Sequence, residues 1–201
     1  MLDVHVIEDA AAAGVALDPV RSRLLAELHQ PASAAALSAR LGIARQKIHY
    51  HLSALEAHGL VSVAEERKWG GITERVMVAT AESYVVSPGV LGPVAIDPEK
   101  TRDRLSASYV IALGARLVRE VGLLLRHARE KQKRLATLSI DTVIRFRSPA
   151  ERAAFTDELT QAITVLASRY HDESAPGGRA HRVVIVAHPL PHHSTTQESS
   201  S

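Results

Sequence analysis

The tract from Asp18 to Gly71 constrains the chain most, because glycines cut it into pieces that suit only small helices and a hairpin. Val20, Leu24, Leu25 and Leu28 recur on one face of a first helix, and His29-Gln30-Pro31 ends it. Ser33 stands as the N-cap of a second helix, Ala34 to Arg40, with Leu37 and Leu41 turned inward. Gly42 breaks that pattern, and Ala44 to His58 follows as a third helix with Ile48, Leu52 and Leu55 at i, i+4 and i+7. Gly59 stops it, as a glycine just past a helix does. Two Val-rich runs, Leu60 to Glu65 and Ile72 to Ala79, flank Arg67-Lys68-Trp69-Gly70-Gly71, a spacing that predicts a hairpin with a glycine turn.

Three short helices and then a β-hairpin are the layout of a winged helix-turn-helix, in which the second helix of the motif enters the DNA major groove. With Ile48, Leu52 and Leu55 inward, the third helix presents Arg45, Gln46, His49, Tyr50 and Ser53 outward. An arginine forks onto guanine and a glutamine onto adenine, each such pair giving about 1–3 kcal/mol of discrimination. Arg45 and Gln46, with His49 and Tyr50, are therefore the expected base contacts. Ser33, Lys47, Ser53, Arg67, Lys68 and Arg75 are the expected contacts to the sugar-phosphate backbone, and His51 sits on the flank beside Lys47, placed for phosphate or partly buried contacts. Glu65, Glu66 and Glu74 share the hairpin with its cations, so a merely solvated turn accounts for Arg67, Lys68 and Arg75 equally well. Trp69 has two open readings, a wedge at the minor groove or a ring packed on a neighbouring helix.

The run Ile48-His49-Tyr50-His51-Leu52, together with Leu55 and Gly59-Leu60-Val61, resembles the ArsR-like winged helix-turn-helix regulators over about residues 15–85. That resemblance implies a homodimer on a pseudo-palindromic operator and, commonly, repression relieved by an effector. Many members of the family sense metal through cysteines where this chain has Ala34-Ala35-Ala36-Leu37, and the chain contains no cysteine at all. Other members bind zinc on their last helix. His127 and Glu130 have the spacing of half such a site, without the other half. His181, His188, His192 and His193 lie in a strand pattern and a polar tail, so no metal and no cofactor is expected.

Composition narrows the class further. With 46% apolar and 23% charged residues the chain is an ordinary globular mixture, and without cysteine it suits a reducing compartment. Acids stand where a signal peptide needs basic residues, and no apolar run is long enough for a membrane span, so a soluble, cytoplasmic protein without a membrane partner is expected. The net charge is only +2: residues 1–90 carry −2, residues 91–135 carry +5 and residues 136–201 carry −1. The case for DNA thus rests on where the cations sit, not on their sum. No glycine-rich phosphate loop, G-x-S-x-G or H-E-x-x-H occurs, so neither catalytic residues nor an enzyme is expected.

Beyond the hairpin, Pro88, Pro93 and Pro98 with Gly89 and Gly92 prevent Ala81 to Pro98 from forming one regular element. The expected division is a winged helix at 1–85, a linker at 86–99, a dimerisation and effector domain at 100–191, and a disordered tail at 192–201. In that second domain Leu105, Tyr109, Ala112, Leu117, Val121, Leu124 and Ala128 mark one long dimerisation helix from Lys100 to about Ala136. Residues 137–147 alternate cleanly, with Leu138, Ile140, Thr142, Ile144 and Phe146 opposite Ser139, Asp141, Arg145 and Arg147. Ser148-Pro149-Ala150-Glu151 is a capping box for a helix through Phe155, Leu159, Ile163 and Leu166, and Arg182 to Ala187 is a continuous apolar strand. The expectation is an α+β protein with a β-α-β unit at 137–189, and any small-molecule effector would lie between that sheet and its helix. A winged helix also serves as a protein-interaction module, which is the alternative to DNA binding.

Overall fold

The computed structural model describes residues 1–69 and 72–191; the Gly70-Gly71 turn and the tail from His192 lie outside the described residues. The chain divides into two compact units, one running from Met1 to Leu135 and the other beginning at Ala136.

The first unit opens with β1 (Leu2–Ile7) and α1 (Ala10–Ala16), whose first turn is capped by the Asp9 carboxylate accepting from the Ala12 amide at 2.7 Å. In α2 (Pro19–Glu27) the proline occupies the first turn, and Asp18 accepts from the amides of Val20 and Arg21. A two-residue strand, β2 (Ala32–Ser33), leads into α3 (Ala34–Leu41). There the Ser33 hydroxyl accepts from the Ala36 amide at 3.3 Å, as its N-cap assignment requires. Gly42 follows at φ 67°, a left-handed turn that sends the chain into α4 (Arg45–Ala57), and the Ser38 hydroxyl ties the turn shut by donating to the Ile43 carbonyl at 2.7 Å.

Leu24, Leu28, Leu37, Ile48, Leu55 and Leu60 have no exposed surface, and they form the centre of the helical core. Each such side chain contributes about 1.5–3 kcal/mol of burial free energy, which fixes the angle at which α4 crosses α3. After α4, strands β3 (Val61–Trp69) and β4 (Ile72–Ala79) pair antiparallel from Val61↔Ala79 to Trp69↔Ile72, with a bulge between Val63 and Glu65. β2 adds to the other edge of β4, giving the order β2-β4-β3. The hairpin inferred from the Val-rich runs is thus a wing beside α4.

A second sheet was not expected from the sequence. β5 (Ala81–Val86) lies parallel to β1, in register from Leu2↔Ala81 to Ile7↔Val86. The proline-rich stretch forms no single regular element, as expected, but two 3₁₀ segments, Pro88–Val94 and Pro98–Lys100, the first kinked at Gly92.

The long helix is α5 (Ala107–Glu130), shorter at both ends than the periodicity suggested. It starts where the Ser106 hydroxyl accepts from the Tyr109 amide and stops before Gln132, which takes φ 50°. Its buried face is made of small residues, Ala112, Ala115 and Gly122. A Cβ on Gly122 would stand 3.0–3.3 Å from three side-chain carbons of Val6, so glycine sets the approach of α5 to β1. The Arg129 guanidinium donates to the Val4 carbonyl at 2.6 Å, and Arg126 pairs with Glu8. Leu117 and Leu124, one heptad apart, are exposed.

In the second unit, α6 (Pro149–Tyr170) begins at its expected cap: the Ser148 hydroxyl accepts from the Glu151 amide at 3.1 Å, while the Glu151 carboxylate reaches one residue past the cap to the Arg147 amide instead of closing the box on Ser148. The two flanking strands expected of a β-α-β unit are not formed. Residues 137–147 and 182–187 enter no ladder, and both sheets of the described structure lie wholly within residues 1–86. Alternation specifies which face of a strand is buried, but a strand exists only where a neighbouring strand takes up its backbone hydrogen bonds, and among the described residues no ladder includes these segments.

Candidate nucleic-acid interface

α4 carries the candidate interface because its two faces are chemically distinct. Ile48, His51, Leu52 and Leu55 are buried, whereas Arg45, Gln46, Lys47, His49, Tyr50 and Ser53 are all exposed. Gln46, His49, Tyr50 and Ser53 follow one another at i, i+3, i+4 and i+7, so they form a single outward strip. Arg45 lies at the start of the helix and Lys47 beside the strip. The four residues expected to contact bases are therefore brought together on one surface, with Lys47 and Ser53 adjoining.

The amino end of α4 adds a feature that the sequence reading missed. Its N-cap is Ala44, which offers no side-chain hydrogen bond to the first amides of the helix. Those amides, flanked by Arg45 and Lys47, have no side-chain acceptor within the helix cap. Neither cation has a carboxylate partner among the described residues.

The wing is less open. Arg75 grips Glu56 of α4 through two hydrogen bonds at 2.5 and 3.0 Å and lies 3.9 Å from Glu66. Arg67 pairs with Glu65 of the same strand at 2.9 Å. Both guanidiniums are held more firmly protonated by these hydrogen bonds. Two of the three wing cations expected at phosphates are thus partly neutralised by glutamates, while Lys68 is exposed on β3. Glu56, which the sequence reading left out, is the residue that joins recognition helix to wing. Ser33 is spent as the cap of α3 and is half-buried, so its hydroxyl serves the helix before any phosphate.

Of the two readings of His51, the structure has the buried one: the residue is 6% exposed, and neither ring nitrogen has a hydrogen-bond partner among the described residues. Tyr50, 69% exposed, meets it edge-on at 5.3 Å between ring centroids. Burial holds the His51 imidazole below its ordinary pKa, Asp18 opposes this, and Arg21 and Lys47 reinforce it. A neutral ring so placed is a packing element of the helix, not a phosphate ligand.

Elsewhere in the first unit, a cavity of about 290 Å³ lies between α1, α2 and β5, lined by Ala16, Leu17, Leu25, His29, Tyr84 and Val86 among others. No group of three or more metal-ligating side chains occurs among the described residues, and no described helix is long and apolar enough to cross a membrane.

Residues 16–64 match the protein family described as a helix-turn-helix domain, a span that takes in α2, α3 and α4. Among solved structures, the chain is similar to the transcriptional regulator HlyU from Vibrio vulnificus CMCP6, at 25% identity and a TM-score of 0.30, covering 36% of this chain and 71% of that one. It is also similar to an ArsR-like transcriptional regulator from Rhodococcus sp. RHA1, at 28% identity and a TM-score of 0.31, covering 60% of this chain and 90% of that one. No curated protein matches the chain.

Proposed function

We propose, from a chain that carries a winged helix-turn-helix similar to those of ArsR-like regulators, that the protein is a DNA-binding transcription regulator which reads a duplex through α4. The observation that carries this reading is the composition of that helix: a solvent-facing strip of Gln46, His49, Tyr50 and Ser53, next to Arg45, Lys47 and an uncapped amino end. Arg45 and Gln46 supply the bidentate chemistry that separates guanine and adenine edges, and Lys47 with the free amides positions the helix on phosphates.

We propose further that it acts as a homodimer, most simply as a repressor by occlusion. One recognition helix spans a few base pairs, so a useful site needs two copies about one helical turn, roughly 34–36 Å, apart. The apolar stripe of α5 at Leu117, Val121 and Leu124, on the side away from β1, is suited to a partner helix. Effector control belongs to the same reading. The cavity beside β5 has the size of a small apolar ligand, and a thermal-shift screen with such compounds tests it.

Selection from randomised duplex DNA by the purified protein tests the whole proposal. A palindromic winner whose affinity falls steeply with salt supports a dimeric regulator. No enrichment at low salt overturns it and leaves a protein-interaction module, the alternative that the glutamate-paired wing favours.

A further inference from the structure

The unit beginning at Ala136 has no buried core of its own among the described residues. Every buried residue of the described structure belongs to residues 1–135, and α6 buries none. Leu138 is 89% exposed, Ile140 84% and Val183 73%. A segment this apolar with no core is not a stable arrangement in water. Its backbone likewise lacks protein partners. Among the described residues, 137–146 make no hydrogen bond to any other segment, although their alternation is that of a half-buried strand.

One end of this segment is nevertheless fixed. Arg147 donates through its guanidinium to Glu151 at 2.7 and 3.0 Å, and the Phe146 ring lies 5.3 Å from Phe155 of α6. Phe146 therefore turns toward the half-buried stripe of α6, Phe155, Leu159 and Ile163, and by alternation Ile144, Thr142, Ile140 and Leu138 share its side. Ser139, Asp141, Val143 and Arg145 occupy the other side.

That second side is self-complementary. When the segment is laid antiparallel on a copy of itself with Val143 on the twofold axis, Asp141 falls opposite the partner subunit's Arg145, and Arg145 opposite the partner's Asp141. On the α6 side the same register sets Ile140 against the partner's Phe146 and Thr142 against the partner's Ile144. A twofold contact meets itself in this way, residue i against j and j against i. Opposite charges set directly across a strand pair are stabilising, and like charges there are not.

We infer that residues 137–147 form the central seam of a sheet shared by two copies of this chain, paired antiparallel about Val143. The inference rests on the homodimer proposed above but assigns it a second contact, separate from the apolar stripe of α5. The 22-residue α6 then crosses over to bring residues 182–187 of each copy alongside the seam as its outer strand, the right-handed β-α-β connection that the sequence suggested.

The experiment uses the full chain, which has no cysteine of its own. In a Val143→Cys variant the two thiols face each other across the axis, within reach of a disulfide, and mild oxidation is expected to convert most of the protein to a linked dimer. Ser139→Cys is the control, because in this register its two copies stand about eight residues apart along the seam, roughly 26 Å, and it should stay unlinked. Asp141→Arg and Arg145→Asp are each expected to raise the dimer dissociation constant about tenfold, and the double exchange to return it to within about threefold of wild type. Wild type that is dimeric by light scattering while Val143→Cys stays unlinked overturns the seam and leaves the dimer intact. Wild type that is monomeric throughout overturns both.

Discussion

Arg75 of the wing and Glu56 of the recognition helix form a two-pronged ion pair, and it decides how much positive charge the wing can offer to a phosphate. Both side chains are more than a third exposed or nearly so, so the pair contributes little to stability, on the order of 0–1 kcal/mol. Its effect on DNA is larger. Glu56→Gln is expected to release Arg75 and steepen the slope of log affinity against log salt by about one, whereas Arg75→Ala is expected to leave the slope nearly unchanged. Fluorescence anisotropy with a selected duplex at several salt concentrations reads both slopes.

Arg45 and Lys47 are expected to differ in kind. Arg45→Ala should cost about 1–3 kcal/mol at sites carrying the preferred guanine and relax the preference there. Lys47→Ala should weaken all duplexes alike and lower the salt slope by about one. A competition series over single-base variants of the selected site separates the two patterns, and equal losses on every duplex for Arg45→Ala would remove it from base readout.

Gly122 tests the mounting of α5. Gly122→Ala places a methyl within 3.0–3.3 Å of Val6 and is expected to destabilise by about 1–3 kcal/mol, despite the gain in helix propensity. Adding Val6→Ala should recover part of that loss, and urea unfolding of the two variants measures it. A stable Gly122→Ala would show that α5 can lift from β1.

Two imidazoles, the buried His51 and the half-buried His5, predict a pH dependence of stability. Burial lowers the pKa of His51 and, with Arg129, that of His5, so below their ordinary value near 6.5 the unfolded chain takes up protons that the fold refuses. Their contribution is therefore fully present above about pH 6.5 and is lost as pH falls toward the lowered values, at up to about 1.4 kcal/mol per pH unit for each proton. His51→Leu is expected to flatten, without abolishing, the fall in urea midpoint between pH 7.5 and 5.5. An unchanged fall would assign the dependence elsewhere.

The helix-turn-helix was legible because every instruction for it is local. Ser33 caps, Gly42 turns, and Ile48, Leu52 and Leu55 repeat at helical spacing, so a short window contains the whole argument. β1 and β5 carried a weaker signal. Leu2, Val4 and Val6 alternate, and Tyr84-Val85-Val86 is β-prone, but the two strands lie about 80 residues apart in sequence and a parallel pairing leaves no turn between them to find. The prolines after Val86 drew attention to irregularity and away from the strand that precedes them. At the interface the outward residues followed from periodicity, and the inward place of His51, three residues after Ile48 and four before Leu55, was open to the same reasoning. The pairing of Arg75 with Glu56 depends on how α4 sits against the wing; tertiary packing decides it, and no pattern along the chain encodes it.

The small-residue face of α5 has a consequence for measurement of distance. A helix seated on long, flexible side chains can slide or tilt by exchanging rotamers, but Ala112, Ala115 and Gly122 have no rotamers to exchange. Val6 meets bare backbone at Gly122, and β1 is laddered to β5, whose Tyr84 hydroxyl donates to the Leu60 carbonyl just beyond the recognition helix at 2.7 Å. The route from α5 to α4 is thus a chain of short, stiff joints, and in an assembly of two copies it would act as a ruler: the span between reading heads would be set by backbone geometry and altered only by moving one whole copy against the other.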